Sequence, residues 1–307
     1  MAAGLDAIGN TPLVRLRSTE PADGSEIWAK WEGANPTGSM KDRMAAAMLA
    51  HGEQTGALRP GMRVVEFTGG STGSSLAMVC AALGYRAHLV TADCFALEKI
   101  GTMRAFGAEV EVLESDGGRV TPELFDRFKA RIAELAEDPD TWWSEQFVNP
   151  GNAAGYRRLG QEILEQSNGS IGGFVMGMGT GGCFSGVAEE LKRHDSSIRC
   201  VAVEPATSRN LSGGPLGGHR LEGIGVGFVP PGARLDLADE IAAVSDDDAF
   251  AAAREVARRE GLFAGQTSGA NVVAARRLAA ELGPSRRVVT ILVDTGLKYL
   301  AGDLYTD

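Results

Sequence analysis

Lys41 is the first residue whose type and place suggest chemistry. It lies in NPTGSMKDRMAAAM (residues 35–48), just past a Gly-Ser turn, in the first turn of an expected helix with Ser39 as its expected N-cap. The positive end of a helix disfavours a cation there by about 0.3–1 kcal/mol, so the local field favours a neutral amine. A neutral amine is a nucleophile and can condense with an aldehyde cofactor as a Schiff base. The chain holds only six lysines against twenty-four arginines. Read alone, the same residue is also a solvated lysine balanced by neighbouring Asp42.

Two glycine-rich loops follow. EFTGGSTGSSLA comes after the apolar run MRVVEF, and MGMGTGGCFSGVAEELK comes after GFVMG. Each joins a strand end to a helix start, where free N–H groups attract anions and glycine lets a ligand approach the backbone. Two such loops suggest a ligand set with two anionic groups. The second loop also fits G-x-G-x-x-G at Gly177, Gly179 and Gly182, with Glu204 ending the next strand. That is the dinucleotide fingerprint and by itself points to a nicotinamide-dependent dehydrogenase. It leaves Lys41 and the first loop without a role.

The elements that must position these residues alternate. Residues 62–67, 86–92, 108–113, 173–179, 199–204 and 288–294 read as strands. Residues 40–53, 72–84, 96–106, 121–136, 153–167, 182–193, 246–261 and 269–282 read as helices. Several strands are continuously apolar, as strands covered on both faces are, so the expectation is βαβ units, largely parallel sheets and two α/β lobes with a cleft between them. Residues 205–235 are rich in Gly and Pro and lack periodicity, which marks a functional loop.

Composition narrows the function. A net charge of −10 argues against nucleic acid or an anionic membrane as partner. Cys80, Cys94, Cys183 and Cys200 form no CxxC pair and have no His at ligand spacing, so buried thiols are expected, with no metal and no disulfide. The start MAAGLDAIGNTPLVRL lacks a basic segment followed by an apolar block, and no apolar run approaches a membrane span. A cytoplasmic acidic enzyme acting on small molecules is the expectation.

GNTPLVRL, NPTGSMKDR, TGGSTGSS, GTGG, SGGPLGGHRLEGIGVGFVP and TSGA occur in the order and rough spacing of a known family. From about residue 8 to residue 300 the chain resembles the pyridoxal-phosphate-dependent cysteine synthases (O-acetylserine sulfhydrylases), in the group shared with cystathionine β-synthase and the serine/threonine dehydratases. The resemblance implies fold type II, like the tryptophan synthase β chain. A large cofactor lobe would comprise residues 1–43 and 147–307, a small mobile lobe residues 44–146, and the protein would be a homodimer. It implies pyridoxal 5'-phosphate held by Lys41 as Schiff-base lysine, by Gly179, Thr180, Gly181, Gly182 and Cys183 at the phosphate, by Ser71, and by Thr267 facing the pyridine nitrogen. The amino-acid carboxylate would be bound by Thr68, Gly69, Gly70, Ser71, Thr72 and Gln146, with Gly225 also at the substrate. The implied reaction is β-replacement on an activated L-serine through an aminoacrylate, O-acetyl-L-serine and sulfide giving L-cysteine and acetate.

Two positions depart from the family pattern. Ser71 replaces an asparagine, and its single hydroxyl cannot donate and accept as an amide does. Cys183 replaces a threonine that donates to the phosphate; a packing role is expected for the thiol. Ser71 leaves open O-phosphoserine or serine as donor and homocysteine or an amine as nucleophile, as in cystathionine β-synthase or diaminopropionate-type enzymes. It also leaves open a non-catalytic cofactor binder. His219 and Arg220 read equally as substrate contacts or as a solvated loop pair.

Overall fold

In the computed structural model, which describes residues 2–118, 121–284 and 286–306, strands and helices alternate along almost the whole chain. A one-turn helix α1 (Ala3–Asp6) precedes the hairpin of β1 (Leu13–Arg15) and β2 (Glu26–Trp31), and α2 (Lys41–Thr55) follows. Next come β3 (Arg63–Phe67), α3 (Ser71–Leu83), β4 (Arg86–Ala92), α4 (Leu97–Ala105), β5 (Glu109–Leu113), α5 (Pro122–Leu135) and β6 (Thr141–Trp143). The remainder holds α6 (Gly151–Ser167), β7 (Gly173–Gly177), α7 (Gly182–His194), β8 (Arg199–Pro205), β9 (Glu240–Val244), α8 (Asp246–Glu260), α9 (Gln266–Leu282) and β10 (Arg287–Leu292), closed by a 3-10 turn (Gly296–Tyr299).

The strands form two sheets. One has the order β5-β4-β3-β6 and is wholly parallel. The other has the order β1-β2-β10-β7-β8-β9 and is parallel except for the β1/β2 hairpin. The expected strands and helices are all present. The strand expected over 173–179 stops at Gly177, because the backbone turns there to begin the glycine loop. The hairpin strands, β6 and β9 carry no sequence expectation: β1 and β6 are three residues long, and β2 (EIWAKW) interrupts its apolar pattern with Lys30.

Local chemistry explains the helix ends that matter. Ser245 caps α8 by accepting from the Asp248 N–H at 3.2 Å, and Asp246, Asp247 and Asp248 complement the helix dipole in its first turn. Helix α3 is different: every residue from 72 to 80 is buried. It packs against α2, α4 and its own sheet, so its residues are small or apolar and its buried hydroxyls are hydrogen-bonded. The main core runs between the sheets through α2, α3, α6 and α7, and α2 contacts both α3 and α6. Both glycine loops open at strand C-terminal ends, the usual place for a ligand in such sheets.

Candidate active site

Lys41 is the first residue of α2, and its N–H donates to Ser39 Oγ at 3.2 Å. Met40, not Ser39, is the flanking residue of the helix, so the expected cap acts one position further out. The lysine side chain lines a small cleft with Gly177, Gly179, Thr180, Gly181, Cys183 and Phe184. Burial pushes its amine below the ordinary lysine range, and the ammonium of Lys298 adds to that. The balance with Asp42 does not form. That carboxylate accepts from Thr37 N–H at 2.8 Å, Thr37 Oγ1 at 2.5 Å and Ser75 Oγ at 2.6 Å.

The loop facing Lys41 requires glycine. A Cβ on Gly179 would lie 2.1 Å from the Gly223 carbonyl oxygen, and one on Gly182 would lie 1.9 Å from Asn152 Oδ1. Gly181, the N-cap of α7, has φ +87°. The N–H groups of Gly182, Cys183 and Phe184 have no acceptor among the described residues, which leaves the helix start as an anion cradle. Thr180 Oγ1 accepts from Asn152 Nδ2 at 2.9 Å. Burial pushes the Cys183 thiol up to about 12, so it is neutral and packs in the core, as expected from its apolar setting.

The first glycine loop forms a second cradle. Thr68 Oγ1 accepts from the N–H groups of Gly70 at 2.9 Å and Gly73 at 3.0 Å, and those of Ser71 and Thr72 keep no acceptor among the described residues. Gly69 packs on Phe95 and Gly70 on the stem of Lys99. Thr72 Oγ1 donates to Gln146 Oε1 at 2.9 Å, and Gln146 Nε2 donates to the Phe67 carbonyl at 2.8 Å. Asn152 joins the two cradles, because its Nδ2 also donates to the Gln146 carbonyl at 2.6 Å.

At the other end, Thr267 Oγ1 donates to the Glu222 carbonyl at 2.7 Å. Ser268, beside it, accepts from the Val293 N–H at 2.9 Å and so ties α9 to the end of β10. Gly225 has φ +68°, and its carbonyl lies 2.9 Å from His219 Nε2. His219 therefore braces the loop. Arg220 is held by Asp246, Asp247 and Asp303 and stacks on Phe250.

Several site residues had no expectation attached. Asn152 is one. Asn271 is another: its Oδ1 accepts from Gly177 N–H at 2.7 Å and fixes the strand end that launches the cradle. Lys99, nine-tenths buried, pairs with Glu222 across the cleft and lies 4.6 Å from the Tyr299 ring centroid. Each acts through a contact distant in sequence; the expected helices covered Asn271 and Lys99 but began one residue after Asn152. The dinucleotide reading loses its acid. Glu204 is buried and accepts from Leu211 N–H at 2.8 Å and from Ser212 Oγ at 2.5 Å, holding the 205–235 loop rather than offering itself to a ribose.

Comparison with known proteins agrees with this geometry. Residues 5–294 match the family described as "Pyridoxal-phosphate dependent enzyme". A probable cysteine synthase of Bacillus subtilis is 41% identical over 306 residues, covering 98% of this chain and 96% of the relative. The O-acetylserine-dependent cystathionine β-synthase of Helicobacter pylori superposes with TM-score 0.91 at 36% identity, covering 99% of each chain. A cysteine synthase of Entamoeba histolytica gives TM-score 0.91 at 34% identity, covering 99% of this chain and 90% of that one. With a match across nearly its whole length, this chain belongs to the pyridoxal-phosphate-dependent enzyme family, with the type II fold of the cysteine synthases.

Proposed function

We propose that the protein catalyses β-replacement on an activated L-serine, with O-acetyl-L-serine and sulfide giving L-cysteine and acetate. The observation that carries this reading is the amine of Lys41, pushed toward neutrality by burial, lining one cleft with the second glycine loop, which Asn152 and Gln146 join to the first. The residues fit the cofactor. Lys41 would hold it covalently, the 179–183 loop its phosphate, Thr267 and Ser71 its ring. When bound, pyridoxal phosphate supplies an aldehyde for an amine and an electron sink that makes the substrate Cα proton removable.

The chain's own residues do the rest. Thr68, Gly69, Gly70, Ser71, Thr72 and Gln146 bind the substrate carboxylate and set the amino acid beside Lys41, with Gly225 flanking the substrate. Released from the cofactor, Lys41 as a neutral amine takes the Cα proton and later returns it. Residues 44–146 act as the small lobe that closes over the carboxylate and excludes water; residues 1–43 and 147–307 form the cofactor lobe. Thr267, a hydroxyl rather than an acid, does not enforce protonation of the pyridine nitrogen and so favours prompt loss of the β-substituent. The protein works as a cytoplasmic homodimer on small molecules. No described helix is long and apolar enough to cross a membrane.

The test is the visible spectrum of the purified protein with O-acetylserine, O-phosphoserine or serine added separately. A band shift with O-acetylserine that sulfide reverses supports the reading, and Lys41→Ala should abolish it. A response to another donor, or reversal by homocysteine but not sulfide, replaces the substrate pair. No response to any donor overturns the proposal.

A further inference from the structure

Glu66 is fully buried at the end of β3, two residues before the carboxylate loop, and no cation among the described residues pairs with it. Four donors converge on it. Oε1 accepts from Phe67 N–H at 3.0 Å and Trp143 Nε1 at 3.2 Å; Oε2 accepts from Ser144 Oγ at 2.7 Å and Gln146 N–H at 2.9 Å. The residue just before Gln146, Glu145, has φ +51°, a backbone conformation a non-glycine residue keeps only when its surroundings hold it. From Gln146 the bonds run on to Thr72 in one direction and, through Asn152, to Thr180 in the other.

We infer that Glu66, as an anion, is the positioning residue for the substrate carboxylate, holding Gln146 so that Thr72 and the 68–72 loop are preset to receive it. This deepens the proposed function and rests on its reading of that loop. An ionised carboxylate accepts charge-assisted bonds at all four positions. Once protonated, one oxygen becomes a donor. Ser144 can rotate its hydroxyl to accept that proton, but the Gln146 N–H on the same oxygen cannot, so its bond now ends on a neutral hydroxyl oxygen and is the one most weakened.

The other charges around Glu66 are committed elsewhere. On β4, His88 lies against Glu109 and Glu111, and Arg86 is exposed. On α5, Arg131 pairs with Glu111 and Glu134, Arg127 pairs with Asp116, and Glu123, Asp126 and Lys129 are exposed. Arg63, on its own strand, pairs with Asp138, and Glu145 is exposed. Helix α3 offers only the thiol Cys80, and β6 has no ionisable side chain. Burial outweighs the four hydrogen bonds and raises the Glu66 carboxyl to about 7, with no cation among the described residues to relieve it, so its charge changes within the working range of pH.

The experiment compares Glu66→Gln and Thr72→Val holoenzymes by KM for the amino-acid donor, kcat and thermal unfolding. Glu66→Gln is expected to raise KM about tenfold while kcat stays within about twofold, since its amide nitrogen must face the Gln146 N–H or the two donors on the other oxygen. An unchanged KM overturns the inference. Thr72→Val separates the two levels: if it raises KM and Glu66→Gln does not, the loop reading stands and the role of Glu66 falls. If Thr72→Val leaves KM unchanged, the loop reading itself falls and this inference with it. Should Glu66→Gln not be recovered folded, acetate serves as competing probe on the wild-type holoenzyme. Acetate should bind several-fold more weakly at pH 6 than at pH 8, opposite to the usual gain in anion affinity on acidification; flat or tighter binding at pH 6 overturns the inference.

Discussion

Arg43 and Lys41 stand two residues apart in the first turn of α2, and their surroundings could hardly differ more. The Arg43 guanidinium is bonded to Glu32 at 2.7 and 2.9 Å and to Glu162 at 2.9 and 2.8 Å. Lys30 completes a buried quartet by pairing with Glu162 at 2.8 Å, and Thr11 and Asn35 donate to Glu32 at 2.6 and 2.8 Å. Two cations meet two anions with every charge answered. On the other side of the helix start, Lys41 shares its surroundings with Lys298 and Asp294, and Lys298 Nζ and Asp294 Oδ1 have no hydrogen-bond partner among the described residues. Burial pushes Lys298 down and Asp294 up. The first cluster fixes where the helix begins. The second leaves a buried amine shifted toward its neutral form, as the proposed function requires. Completeness marks the structural region and incompleteness the chemical one.

That contrast can be broken from either side. Lys41→Ala should remove at least about a thousandfold of kcat by deleting the amine proposed to move the proton, while thermal unfolding of the folded variant changes little. Arg43→Met should do the reverse. It leaves two buried carboxylates short of a cation and costs about 3–5 kcal/mol in an unfolding titration, with the catalytic groups still in place. If Arg43→Met is harmless to stability, the division between the clusters is wrong.

Acid sharpens it. Burial opposes ionisation of Glu162, but the bonds from Arg43 and Lys30 prevail and lower its carboxyl to about 2. A folded value below the unfolded one of about 4.5 means stability that is full above pH ~4.5 and is lost as pH falls through 2, about 3 kcal/mol in all. Glu162→Gln should flatten the dependence of unfolding free energy on pH in that window; an unaltered slope would contradict the pairing. The smallest expected effect is that of Lys298→Met. Removing this cation should raise the amine of Lys41, moving the acid limb of the kcat–pH profile to higher pH, with stability unchanged or slightly raised. A shift to lower pH would show that Lys298 acts otherwise.

Much of this site was legible in the sequence because its signals are local. A lysine at a helix start and two strand–glycine–helix junctions announce themselves within a dozen residues each. The alternation of strands and helices was readable for the same reason, while β1 and β6 were too short to show a period and Lys30 masked β2. What escaped notice is what depends on distant contacts. Glu66 meets Gln146 across 80 positions and Asn271 meets Gly177 across 94, and nothing in the flanking residues of either foretells the pairing. Glu204 misled for a related reason: its spacing suits a ribose, but the 205–235 loop folds back to occupy it.

The central claim is that the incompletely paired amine at the start of α2 is the one that carries the cofactor. Borohydride reduction of the holoenzyme followed by peptide mass spectrometry tests it directly, because the reduced adduct stays on the lysine that formed it. The account predicts the label on Lys41 alone. A label on Lys298 or Lys99, the other buried amines near the cleft, would contradict it, as would recovery of Lys41 unmodified from a protein that binds the cofactor.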